Sequence, residues 1–149
     1  MAIRVGKDSV WQQFKRQVAA LDKSYVKVGV MADKSGEGMV TIAMAHELGV
    51  PGKLPERSFI RKTFEDKEEE LGHQIAKLAR AYLANKISLD KALDLLGLWA
   101  STQVKKTITE ERVVPRIDPE GPTAKRKGST VTLVDEGQLL QSITWAVVQ

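Results

Sequence analysis

The sequence predicts an α+β domain: a small β-sheet built from an early strand and the C-terminal strand, packed against long helices. Three observations predict it. Val26, Val28 and Val30 alternate with Lys27 and Gly29, the two-residue period of a strand with one buried face. At the other end of the chain Ile143, Trp145 and Val147 alternate with Thr144, Ala146 and Val148. Between these strands, apolar residues return at steps of three and four, the period of an amphipathic helix. The 149 residues suit a single domain, 1–149, with a core of its own.

The first helix is expected over residues 9 to 21. Ser9 is a good N-cap, and Val10, Trp11, Phe14, Val18 and Leu21 share one face. On that pattern Trp11 reads first as a core aromatic, with an interface anchor as the alternative. Tyr25 to Met31 is the early strand, followed by a polar turn or loop over Ala32 to Gly38. Val40 to Leu48 is apolar without strand alternation and predicts a short buried helix. Gly49 ends it, and Pro51 opposes continuation.

Residues 55 to 87 are mostly helical by pattern, with Ser58 as a cap. Phe59, Phe64, Leu71, Ile75, Leu78, Tyr82 and Leu83 supply the apolar face. Gly72 is less favourable than Ala by about 1 kcal/mol, which puts a break or kink near it. The acidic run from Glu65 to Glu70 reads as a solvated helical face. The clearest helix starts at an N-cap, Ser88, with Asp90 in its first turn. Leu89, Leu93, Leu96, Ala100, Val104 and Ile108 then line one side. Gly97 interrupts that line and marks a place where another element can pack closely.

Residues 110 to 132 change character. Pro115, Pro119, Gly121, Pro122 and Gly128 fall among many charges, including Arg112, Arg116 and the run Lys125, Arg126, Lys127. The expectation is a flexible, extended loop or arm, because unstructured connections longer than about 12–15 residues are usually functional or disordered. The basic run has two open readings: contact with DNA phosphates or an acidic partner, and a plain solvated turn. Leu133 to Ser142 then predicts a turn and short helix, capped by Asp135, leading into the terminal strand.

Composition excludes several chemistries. The chain has no cysteine, which removes disulfides and thiolate metal sites. His46-Glu47 lacks the second histidine one turn later that a zinc-protease helix needs, since position 50 is Val. Gly36-Glu-Gly38 is too short for a phosphate-binding loop. Neither Ser58 nor Ser101 has a spaced His and acid partner. The expectation is a protein without catalytic residues, cofactor or metal. A net charge of +4 is too mild to argue for sequence-specific nucleic-acid recognition. The N-terminus lacks the apolar run of a signal peptide. Nothing approaches the roughly 20 apolar residues of a membrane span.

Four stretches resemble one family. His46-Glu-Leu-Gly49 resembles the "HEFG" element of tail-completion and neck proteins of tailed phages, with Leu48 in place of Phe. Leu54-Pro-Glu-Arg-Ser-Phe-Ile-Arg61 is similar to its "IPxRSFLR" element. Leu95-Leu-Gly-Leu-Trp-Ala100 with Val104 to Ile108 is similar to its "LGxWAxxxIkxxI" helix. The ending resembles "PLIDTGQLxxSItyxV", with Thr132 in place of Pro and Glu136 in place of Thr.

The resemblance implies a structural virion protein at the head–tail junction. It implies a homo-oligomeric ring, most often hexameric, that completes the neck or tail and joins the connector to the tail tube. A tail terminator capping the tube is the neighbouring possibility, and a DNA-binding accessory protein is the rival from another class. The implied partners are further copies of the chain, the portal or connector adaptor, and tail-tube or tail-terminator proteins. Genomic DNA would pass through the lumen without being read. The implied location is the virion, after synthesis in the host cytoplasm. In that setting the expected interface residues are Arg57, Phe59, Arg61, Arg112, Arg116, Lys125, Arg126, Lys127 and Trp145. Arginine and aromatic residues are the types enriched at binding hot spots. The cheaper alternative for the middle group is a core Phe59 with solvated arginines.

Overall fold

The computed structural model describes residues 3–110, Glu120 and 137–149, with side chains from Ser9 onward. In chain order the elements are α1 (Ile3–Lys23), β1 (Tyr25–Val30), α2 (Ala32–Ser35), α3 (Glu37–Leu48), α4 (Phe59–Asp66), α5 (Glu68–Leu83), α6 (Leu89–Thr109), α7 (Gln138–Ser142) and β2 (Ile143–Val148). The fold is α+β, mostly helical, with one antiparallel pair of strands.

Both strands lie where the alternation places them. The register runs from Tyr25 opposite Val148 to Val30 opposite Ile143. Opposed residues share a face, so Val26, Val28 and Val30 sit beside Val147, Trp145 and Ile143. That face packs on α6. Its lower half joins the core, where Ile143, Val28 and Val30 meet Val104, Ile108, Phe59, Ala43 and Leu139.

Helix α6 is the spine, and its signals act as read. The Ser88 hydroxyl accepts from the Lys91 N–H at 3.2 Å, an N-cap bond. Leu93, Gly97, Ala100, Val104 and Ile108 are buried along one side. Small residues in the middle of that side let the sheet approach.

Five local expectations differ from the structure. Helix α1 begins at Ile3, so Ser9 lies inside it rather than at its start. Within the expected turn or loop, Ala32 to Ser35 forms a single turn of α-helix, and the Lys34 ammonium donates to the Trp145 carbonyl at 2.9 Å. Helix α3 starts at Glu37 and buries only Ala43, leaving Ile42, Met44 and Leu48 exposed. The 55–87 region breaks at Lys67, whose φ of −114° and ψ of 17° leave helical geometry, and not at Gly72. Breaking there lets α4 keep Phe59 and Thr63 on α6 while α5 takes its own direction. The new start also places Glu68, Glu69 and Glu70 in the first turn of α5, where the helix dipole favours carboxylates. Finally, α7 is preceded by Gly137 at φ 70°, while Asp135 lies outside the described residues.

Candidate functional site

The two middle motifs meet in space through one carboxylate. Gly49 ends α3 at φ 74°, a left-handed value that suits glycine. The chain then turns back through a small bridge, in which the Val50 N–H donates to the Leu54 carbonyl at 2.8 Å. The Glu56 backbone crosses so close that a Cβ on Gly49 would lie 2.8 Å from its nitrogen. This return brings the Arg57 N–H to the His46 carbonyl at 2.7 Å.

Glu47 then caps the next helix. Its Oε2 accepts from the Ile60 N–H and its Oε1 from the Arg61 N–H, both at 2.9 Å. Ser58, at the expected cap position, makes no side-chain cap bond. Two of the orphan donors at the start of α4 are therefore satisfied by a charged group borrowed from α3. His46-Glu47 is a helix clamp, and its spacing to the later motif is set by the length of the return loop.

The expected interface residues fall into three groups. Phe59 is fully buried in the core, so it presents no surface to a partner. Arg57 is half-buried, and desolvation pushes its guanidinium below the ordinary value. Arg61 is exposed and pairs with Glu56. Trp145 is half-buried against α6, and its ring nitrogen donates to Asp94 at 2.8 Å. Its ring occupies the space that Gly97 leaves open. Arg112, Arg116, Lys125, Arg126 and Lys127, with most of the expected arm, lie outside the described residues.

What remains accessible is apolar. On α1, Val10 (65%), Trp11 (57%), Phe14 (41%) and Val18 (43%) are exposed. This corrects the expectation that the α1 stripe enters the core. The side of α1 that faces its own subunit is held by amides instead. Gln17 Nε2 donates to the Tyr82 carbonyl at 3.1 Å and to Asn85 Oδ1 at 3.0 Å, and Gln13 Nε2 donates to the same Oδ1 at 3.2 Å. Asn85 accepts these bonds from a left-handed conformation, φ 57°, just beyond α5.

Beside α1 lies an apolar groove of about 600 Å³. Val26 and Val28 of β1, Leu71, Ile75 and Leu78 of α5, and Leu96 of α6 line it. Sequence reading missed this groove, because each lining residue reads as ordinary core. Leu71 and Leu78 are in fact half-buried, while Ile75 stays 47% exposed.

Among the described residues, no three His, Asp or Glu side chains gather as a metal site, and no helix is long and apolar enough to cross a membrane. No family model, curated protein or solved structure matches this chain.

Proposed function

We propose that this chain is a structural protein of a tailed-phage particle that assembles as a ring at the head–tail junction. Its work is surface complementarity: copies of the chain close on each other, and the ring bridges the connector and the tail. DNA would traverse the lumen without sequence-specific contacts. The observation that carries the assembly reading is the outward-facing stripe of α1. An amphipathic helix normally turns its apolar stripe inward, and this one turns Trp11, Phe14 and Val18 outward. Contiguous exposed apolar surface of that kind marks interaction sites. The phage assignment adds the ordered resemblance of His46–Gly49, Leu54–Arg61, Leu95–Ile108 and the C-terminal stretch.

The motif residues support a scaffold role. Glu47 clamps α4, Phe59 fills the core and Trp145 seats on Gly97. The test is quantitative mass spectrometry of purified particles together with sedimentation of the free protein. The expected result is a small, fixed copy number per particle. Particles lacking the chain, with the free protein monomeric at all concentrations, would overturn the reading.

A further inference from the structure

We infer that the exposed stripe of α1 docks in the apolar groove of a second copy of the chain. The inference rests on the assembly reading and names the two surfaces that mate. A ring closed by head-to-tail contacts needs two different, complementary faces on each subunit. This chain carries a protruding apolar ridge and an apolar concavity.

Charge selects the partner and the direction. Between Ser9 and Lys23, α1 carries Lys15, Arg16 and Lys23 against Asp22. Lys15 Nζ lies 5.8 Å from the centroid of the Trp11 ring, so the cation belongs to the stripe itself. The groove has an acidic end. Glu68 sits one turn before Leu71, on the face of α5 that carries Leu71, Ile75 and Leu78. Its neighbours along the chain are Glu65, Asp66, Glu69 and Glu70. Lys62 pairs with Asp66 and Lys67 with Glu70, while Glu65, Glu68 and Glu69 enter no ion pair among the described residues.

The basic, tryptophan-bearing part of the stripe therefore meets the Leu71 end of the groove. That sets a parallel register: Trp11 over Leu71, Phe14 over Ile75, Val18 over Leu78. Both series advance by three or four residues, so successive side chains interdigitate. Helix α1 need not leave its own subunit: Gln13 and Gln17 hold it from the flank of the stripe, about 100° and 60° around the helix from Phe14, while Trp11 and Phe14 stay exposed.

The absence of cysteine makes the test clean. K15C and E68C are introduced on separate chains at exposed positions beside the contact, so that Phe14 and Ile75 stay in place, and the two proteins are oxidised alone, mixed, and co-assembled in particles. Covalent dimers from the mixture, with none from either protein alone, are expected. Self-linked K15C, which reports stripe against stripe, would overturn the inference. So would a doubly substituted chain that closes on itself as a monomer, which reports α1 folding into its own groove. If particles incorporate both variants without a crosslink, the docking fails and the assembly reading stands. Failure of the untouched protein to associate or enter particles sinks the assembly reading instead. In solution, F14S should weaken association about thirtyfold. K15E should weaken it about fivefold and recover with E68K on the partner. Equal association by K15E and the parent overturns the stated register.

Discussion

The indole of Trp145 lies where a side chain on Gly97 would be. A Cβ at position 97 would stand 2.1 Å from Trp145 Cδ1 and 2.4 Å from Cγ. The same ring is pinned by its bond to Asp94, one turn earlier on α6. Helix and terminal strand are thus keyed together at one small residue.

G97A should destabilise the protein despite the better helix propensity of alanine. The propensity gain is at most about 1 kcal/mol, while displacing a packed indole costs typically about 1–3 kcal/mol. Urea unfolding monitored by tryptophan fluorescence should show a lower midpoint. A G97A/W145L double variant should recover part of the loss, since the smaller side chain removes the clash. A midpoint unchanged in G97A would mean that the ring moves aside freely.

E47Q should cost about 1–2 kcal/mol, the scale of a lost charge-assisted cap. The amide keeps one carbonyl acceptor, so one of the Ile60 and Arg61 N–H groups loses its partner. E47A should cost more. Amide hydrogen exchange at the start of α4 should quicken in both variants before other helices respond. Uniform acceleration across the chain would contradict a local clamp.

The buried hydroxyls of Thr63 and Thr107 stand 2.7 Å apart between α4 and α6. Thr63 Oγ1 is also 2.6 Å from the Phe59 carbonyl and Thr107 Oγ1 3.1 Å from the Gln103 carbonyl. Two protons serve three contacts, so either Thr63 donates to Thr107 and Thr107 to Gln103, or Thr63 donates to Phe59 and Thr107 to Thr63. T63V and T107V should each cost about 1 kcal/mol, and the double variant less than the sum, because removing both partners strands no polar group. A double-mutant cycle in denaturant measures this coupling. Strict additivity would argue against it.

N85G should loosen α1 without unfolding the domain. Glycine keeps the left-handed conformation but deletes the acceptor of Gln13 and Gln17. Global stability should change by no more than about 0.5 kcal/mol, as for surface positions. Limited proteolysis should meanwhile cut α1 faster. Unchanged cleavage would show that α1 is held by other contacts.

The sequence by itself determined the two strands, the spine helix and its cap. In each case the signal is local: alternation at Val26–Val30 and Ile143–Val148, and a Ser88 hydroxyl three residues from the N–H it accepts. It also marked Gly97 as a close approach, since glycine inside a helix costs stability that packing must offset. Only the tertiary structure decided the partner of that glycine. It also decided that Glu47 rather than Ser58 caps α4, because a carboxylate from another helix reaches the same N–H groups from outside the local sequence. The break at Lys67 rather than Gly72 has the same origin: α4 and α5 both pack on α6, but α4 also meets α3 while α5 meets α1. The outward stripe of α1 is the largest reversal. Periodicity shows that Trp11, Phe14 and Val18 share a face, but burial of that face depends on what the rest of the chain places against it. Here Gln13 and Gln17 bond at the end of α5, Leu21 turns to the groove, and Trp11, Phe14 and Val18 are left exposed.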